Sequence, residues 1–224
     1  MRKILVFITA LALSVQPLIV AAEEAVVVPS KLEVEVALAK LGLPVGNVDG
    51  EYDDKTFRAT CAWRLITGEV AVFGKPLKRE RASIVNTTAF AKPQLLSVGL
   101  HVNLTCQTLT WIDRTETDDR RRVKAVFPVS SGLSSFPTPK GRFQINRQFD
   151  GWWESTVYQD AWMYRPKYFA PSVALHGSAT DALVKTYPAS HGCVRMLHRH
   201  IDRLWKNNIS VGYRVIVKGS WVTE

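Results

Sequence analysis

The alternation of apolar and polar positions divides the chain into a helical part followed by a β part. Apolar residues recur at helical spacing after Ser30, and Glu33 stands where a capping-box partner of Ser30 belongs. A second helix is predicted from Asp53 to Gly68, because Asp is a common N-cap and Gly a common helix stop. These two short helices predict a small helical unit over residues 23–70, too small to bury much core alone.

From residue 97 onward the pattern changes to short stretches rich in β-branched and aromatic residues, separated by turn residues. Six such stretches are LHVNLT, QTLTWID, RVKAVFPVS, GRFQINRQF, SVALH and YRVIV. Leu197, Ile201, Leu204 and Trp205 form a late apolar stripe at helical spacing. The pattern predicts a mainly β domain over residues 97–224, a sandwich or barrel-like fold with one late helix. A charged stretch containing Gly and Pro, residues 71–96, is predicted to link it to the helical unit.

The first residues have the order of a secretory signal. Arg2 and Lys3 precede an apolar run, and small residues stand before the first acidic residues. Cleavage is expected after Ala22, so that residues 1–22 form a signal peptide. An uncleaved signal anchor is the alternative, although the run is short for a membrane span. The expected location is the cell wall, the periplasm or the extracellular face of a bacterium.

The chain has 224 residues and a formal net charge of +9, and a basic surface favours anionic partners. Nucleic acid is not expected among them, because the sequence has an export signal and no basic arm or recognition helix. The charge run over residues 113–124 mixes both signs and is predicted to be a solvated hairpin.

Export changes the interpretation of the three cysteines, because disulfides persist in oxidising compartments. An odd number of cysteines leaves one thiol unpaired or reactive. A Cys61–Cys106 bridge would tie the helical unit to the β domain. Two buried free thiols at these positions remain the alternative.

Cys193 could be a metal ligand or a nucleophile. A metal site would draw on His191, His198 and His200, but the last two are predicted to point to opposite faces of one helix. No metal is therefore expected. A nucleophilic thiol needs a base, and two histidines qualify: His176 at a strand end and His191, separated from Cys193 by Gly192 alone.

The stretch HGSATDALVKTYPASHGCVRM, residues 176–196, resembles the signature of L,D-transpeptidases, the bacterial enzymes that cross-link peptidoglycan. The stretches VNLTCQTLTWI, VSSG and TPKGRF are similar to early strands of the same catalytic domain. The resemblance covers about residues 97–218 and implies an L,D-transpeptidase-type β-sandwich. LAKLGLPVGNVDGEYDDKTFRATCAW is similar to small helical peptidoglycan-binding modules, which could here pack without binding glycan.

The resemblance implies a role for each residue of the signature. Cys193 would be the nucleophile and His176 its base, with the Gly177 carbonyl orienting the ring. Backbone N–H groups of Gly192 and Cys193 would hold the oxyanion, and His191 would support the loop. Ser190 and Arg195 are expected to contact substrate. WMYRPKYF lies where the family often carries a flap over the site, so Tyr164 and Phe169 are candidates for contacting substrate there, and core packing is the favoured alternative for both. Many members carry Asn where this chain has Arg195, so its contact could be a substrate carboxylate or a structural ion pair.

The resemblance also implies the reaction. Peptidoglycan stem peptides would be the partners. D-Ala would be released as the thioester forms, and the third-position diamino acids of two stems would then be joined. No cofactor is expected. Carbapenems are expected to acylate the same thiol. The alternatives are an L,D-carboxypeptidase, which gives the thioester to water, and a non-catalytic wall-binding protein.

Overall fold

A computed structural model describes residues 27–90, 96–114 and 121–221. The predicted signal peptide, residues 1–22, lies outside these ranges, as does most of the predicted hairpin tip. Within the described ranges, no helix combines the length and the apolar character that a membrane crossing requires.

Three helices form the N-terminal helical unit. Their bounds are α1 Lys31–Lys40, α2 Asp54–Thr67 and α3 Lys78–Asn86. The capping box is present as predicted: the Glu33 N–H donates to Ser30 Oγ, and the Ser30 N–H donates to the Glu33 carboxylate. The Asp53 side chain caps α2 by accepting from the N–H groups of Lys55 and Thr56, and Gly68 ends the helix with a φ of 91° in the left-handed region. Local sequence chemistry therefore sets both ends of α2.

Helix α3 lies inside residues 71–96, the stretch predicted to be a linker. Its Glu80 accepts from Arg64 of α2 at 2.7 Å, and the side chain of Arg64 is only 5% exposed. Ile84 is fully buried in the core of the helical unit, which also takes in Val126 of the β domain. The stretch was predicted to be a linker, whereas it contains a packed helix that one of its charges anchors.

Ten strands form one curled sheet. Their bounds are β1 Gly99–Asn103, β2 Thr108–Arg114, β3 Arg121–Ser130, β4 Gly141–Gln144, β5 Arg147–Gln148, β6 Trp152–Glu154, β7 Trp162–Ala170, β8 Val173–Gly177, β9 Val194–Met196 and β10 Arg214–Lys218. The order is β4-β10-β1-β2-β3-β9-β8-β7-β5, with β6 paired to β7. All six predicted stretches contain strands, and the mainly β architecture is confirmed.

The late helix is α4, His198–Lys206, and it packs on β7 and β8. Ile201 and Leu204 of the predicted stripe are fully buried in the main core. Burying side chains of this size contributes about 1.5–3 kcal/mol each. Helix α4 thus packs against β8, the strand that carries His176, and stabilises its position.

The predicted Cys61–Cys106 disulfide is confirmed, with a Cα–Cα distance of 5.3 Å and both side chains fully buried. It joins α2 to the turn between β1 and β2. A second attachment lies nearby in the fold, where the Arg58 guanidinium of α2 donates to the carbonyl of Lys185. The helical unit is therefore fixed to the β domain by covalent and polar contacts.

Candidate active site

Cys193 is the free cysteine of the described chain and lies just before β9, partly exposed. Its Sγ accepts from the Ala174 N–H at 3.4 Å and donates to the Ser172 carbonyl at 3.7 Å. Burial raises the pKa of this thiol, against smaller lowering effects of the Ala174 N–H and the Arg195 charge. At neutral pH the Cys193 thiol is therefore protonated.

His176 reaches the same place because β8 and β9 are parallel neighbours. The register sets His176 opposite Arg195 and Leu175 opposite Val194. Residues two apart share a face of a strand, so His176 and Cys193 project from the same side of the sheet. Both side chains line one cavity.

The ring of His176 has a defined tautomer. Its Nδ1 lies 2.9 Å from the Gly177 carbonyl oxygen, which can only accept, so Nδ1 carries the proton and Nε2 is the acceptor of the neutral ring. Burial, helped by the Arg195 charge, lowers the pKa of His176 to about 4 against the raising effect of the Gly177 carbonyl. At neutral pH the site thus pairs a neutral thiol with a neutral imidazole.

Gly177 also has a packing role. A Cβ at this position would lie 2.6 Å from His198 Cδ2 and 3.1 Å from the Tyr164 side chain. Only glycine leaves room for the His198 and Tyr164 rings to pack against the strand that carries His176.

The turn before Cys193 is held by Ser190 and Gly192. Ser190 Oγ donates to the Cys193 carbonyl at 2.5 Å and accepts from the Gly192 N–H at 3.2 Å. Gly192 has a φ of 111°, a left-handed value that other residues adopt only with strain. The buried Ser190 thus stabilises the turn through two hydrogen bonds and also lines the cavity.

The loop between Gly132 and Thr138 packs against this turn. The sequence analysis did not predict that these two residues belong to the site. Thr138 Oγ1 donates to the Gly192 carbonyl at 2.7 Å and accepts from the Gly132 N–H at 2.9 Å. A Cβ at Gly132 would lie 2.8 Å from the Gly192 Cα. Gly132 lies in VSSG and Thr138 in TPKGRF, two motifs noted above for their family resemblance. That resemblance could have identified this loop as part of the site.

Arg195 lies half-buried beside the thiol and donates to the Ala189 carbonyl at 2.9 Å. The ion pairs found within the described ranges do not involve it. Its guanidinium lines the cavity and retains donors for an anionic group.

The cavity has a volume of about 220 Å³, and one wall is the connection between β6 and β7. Tyr158, Trp162 and Met163 of that region line it, together with Tyr168 of β7. The exposed His191 ring packs between Phe136 at 4.9 Å and Tyr158 at 4.8 Å, measured between ring centroids. The wall over the thiol is thus aromatic.

Tyr164 and Phe169, the candidates for lining this wall, do not lie in it, and both take the alternative of packing on the core. Phe169 is buried in the main core and packs on Phe143 at 5.4 Å. Tyr164 packs on the rings of Trp152 and His198. The stretch WMYRPKYF forms strand β7, and the segment facing the thiol precedes it.

No group of three or more His, Cys, Asp or Glu side chains in the described ranges is arranged to hold a metal ion. His198 bonds to the Ser178 carbonyl, and His200 packs on the Phe127 ring at 4.8 Å.

Comparisons with known proteins agree with this geometry. The family model YkuD, the L,D-transpeptidase catalytic domain, matches residues 97–217, more than half of the chain. The crystal structure of the L,D-transpeptidase (residues 123–326) from Xylanimonas cellulosilytica is 29% identical, with a TM-score of 0.56 over 85% of this chain and 93% of that chain. An L,D-transpeptidase from Stackebrandtia nassauensis, 23% identical, shares the fold with a TM-score of 0.52 over 85% of this chain and 91% of that chain. The search of curated proteins found no match.

Proposed function

Because the chain belongs to the family of L,D-transpeptidase catalytic domains, we propose that it is an exported transpeptidase that cross-links peptidoglycan stem peptides through a Cys193 thioester. One observation carries the proposal. The free thiol and a neutral histidine with an available Nε2 project from adjacent strands into one cavity. Nucleophilic catalysis needs this combination of a thiol, a base and a group that orients the base.

The first half-reaction forms the thioester. As Cys193 Sγ attacks the carbonyl carbon of the third residue of a donor tetrapeptide, its proton passes to His176 Nε2. The resulting imidazolium, held by Gly177 through Nδ1, then protonates the amine of D-Ala while the C–N bond breaks. A group whose pKa is about 4 releases this proton readily, so burial of His176 favours the step that expels D-Ala.

In the second half-reaction the side-chain amine of another stem attacks the thioester. His176 takes a proton from that amine and returns it to the departing sulfur, which restores both groups. Backbone N–H groups stabilise the oxyanion in each step. The Cys193 N–H is the first donor, because the Gly192 N–H must leave its 3.2 Å bond to Ser190 before it can take part.

Substrate contacts follow from the walls. Arg195 meets a stem-peptide carboxylate through its remaining donors, and Ser190 contacts the peptide next to the thiol. Tyr158 and Trp162 take the place that was expected for Tyr164 and Phe169, and cover the apolar part of the substrate. His191 stiffens this wall through its two ring contacts.

Export is part of the proposal. The Cys61–Cys106 disulfide supports it, because such bonds persist in oxidising compartments. The predicted signal peptide, residues 1–22, would deliver the helical unit of residues 23–70 and the catalytic domain of residues 97–224 to the wall.

Intact-mass spectrometry with a carbapenem tests the nucleophile. We expect one covalent adduct on the unmodified chain and none on Cys193→Ala. His176→Gln should slow acylation by about 10²- to 10⁴-fold, while its matched control His191→Gln stays within a few-fold. An adduct on Cys193→Ala would overturn the assignment, and the opposite order of the two histidine variants would make His191 the base.

Incubation with a purified stem tetrapeptide tests the reaction. Dimers joined through third-position residues are expected. Tripeptide without dimers would identify an L,D-carboxypeptidase, and unchanged tetrapeptide would favour the non-catalytic wall-binding protein.

A further inference from the structure

The helical unit and the β domain enclose a second cavity of about 660 Å³, here called the second cleft. Its walls come from residues 39–46 of the helical unit, part of α2, part of β3, the three residues Asp181, Ala182 and Val184, and the start of α4. No residue lines both this cleft and the catalytic cavity. The proposed reaction uses none of its side chains.

Arg58 is the most buried cation of the second cleft. Its side chain is 4% exposed, yet its Nε has no hydrogen-bond partner within the described ranges. Its Nη2 donates to the Lys185 carbonyl, and Asp54 is the main carboxylate whose charge acts on it. A buried charged donor without a partner is unfavourable, so the site is incomplete without a further acceptor.

The N-terminus of α4 adds positive charge to the same cleft. The first turn contains Arg199 and no acidic residue, and the N-terminal end of a helix is itself positive. The His200 ring is neutral, because burial lowers its pKa to about 4. Asp181 accepts from the His198 N–H at 2.9 Å and lies 3.9 Å from Arg199. His200 Nδ1 is buried and has no partner within the described ranges. Asp181 is the one carboxylate among the lining residues that the structure describes, against Lys55, Arg58 and Arg199, so the cleft keeps an excess of positive charge.

Apolar side chains stand beside these cations. Leu43, Val45, Val126 and Val184 line the cleft together with Lys55, Arg58 and Arg199. A phosphate ion needs no apolar surface, whereas a short peptide that ends in a carboxylate presents both kinds of group.

We propose that the second cleft binds the free carboxylate of a peptidoglycan stem peptide, with Arg58, Arg199 and the first turn of α4 as its anion-binding elements. The identity of the peptide rests on the proposed function, while the anion site rests on the cleft itself. Binding is non-covalent and separate from catalysis.

The test uses calorimetric titration of the chain carrying Cys193→Ala with a stem tripeptide, which lacks the terminal D-Ala and cannot act as a donor. We expect binding, weakened about tenfold or more by Arg58→Gln and about three- to tenfold by Arg199→Glu. Lys206→Glu reverses the same charge at the other end of α4 and should change the affinity less than about twofold. Arg199 has a side chain 68% exposed, so this comparison holds even where Arg58→Gln fails to fold.

Inorganic phosphate serves as the second ligand, and it should bind more weakly than the tripeptide. The imidazole NMR signals of His200 should shift on tripeptide binding and report its location. Equal or tighter binding of phosphate, no binding of tripeptide, or equal effects of Arg199→Glu and Lys206→Glu would each overturn the proposal. Carbapenem acylation of unmodified Cys193 reports the proposed function separately, so the two failures are distinguishable.

Discussion

The Cys193 thiol should remain protonated at neutral pH until substrate arrives. Burial raises its pKa, and the Ala174 N–H and the Arg195 charge compensate only in part. His176 cannot supply a positive charge, because its pKa of about 4 leaves the ring neutral. The structure therefore favours proton transfer during attack over a preformed thiolate–imidazolium pair.

The size of the effect follows from the ionised fraction. A thiol with the ordinary pKa of about 8.5 is about 3% thiolate at pH 7, and a raised pKa lowers this fraction further. In a preformed ion pair the fraction would approach unity. Alkylation by iodoacetamide, which requires the thiolate, should thus be at least about 30-fold slower at pH 7 than at its high-pH plateau.

Mass spectrometry of alkylation between pH 5 and pH 10 measures this directly. The signal is specific, because Cys61 and Cys106 are disulfide-bonded and Cys193→Ala supplies the background. His176→Gln should leave the profile almost unchanged, since a neutral ring contributes no charge. Arg195→Gln should move the profile to higher pH, because it removes a charge that lowers the thiol pKa.

A full-rate plateau between pH 5 and pH 7 would refute this reasoning. It would place a thiolate in the resting site, and the general-base role of neutral His176 would have to be abandoned.

Three further effects should be measurable. Replacing Cys61 and Cys106 with Ala opens a 45-residue loop and should lower the free energy of unfolding by about 4 kcal/mol, or Tm by about 8–16 °C in calorimetry. Carbapenem acylation should be retained at 25 °C. A loss of stability below about 1 kcal/mol would contradict the entropic argument. The unfolded chain binds more protons at His176 than the folded one between the unfolded His pKa of about 6.5 and the folded His176 pKa of about 4. The free energy of unfolding should therefore decrease as the pH falls through this window, and His176 alone should account for about 2 kcal/mol of the loss at pH 5. His176→Gln should remove that share of the slope in urea titrations, leaving the share of His200, whose pKa is also lowered to about 4. Gly192→Ala meets no atom closer than 3.8 Å but must adopt a φ of 111°, so it should cost about 1–3 kcal/mol in urea unfolding and slow acylation; an unchanged midpoint would argue against strain at this turn.

Local chemistry made some elements predictable from the sequence. Asp53 and Gly68 carry their own signals, because a cap and a left-handed stop act on adjacent backbone. Helix α3 had a weaker signal, because Leu77 at its N-cap has no capping side chain, although Glu80 accepts from the Leu77 N–H. The burial of Glu80 against Arg64, which is distant along the chain, could not be read from the sequence, and the stretch was predicted to be a linker.

The site could be predicted only in part. The family resemblance selected His176 and Cys193, but their shared face depends on parallel pairing of β8 with β9, which periodicity does not reveal. The aromatic wall was misplaced for a related reason. Register shifts between β7 and β8, at Tyr164 to Lys167 and again after Tyr168, decide which side chains face the thiol.

The order of the three cysteines along the chain bears on how the protein is oxidised as it is made. A chain that emerges with its N-terminus first presents Cys61 and Cys106 to an oxidant before Cys193 follows. Cys61 and Cys106 can pair while no competing thiol is present, and Cys193 then folds into its cavity unpaired. A circular permutant that begins between His176 and Ser190 would present Cys193 first, and mispaired, inactive disulfide isomers should accumulate among its products.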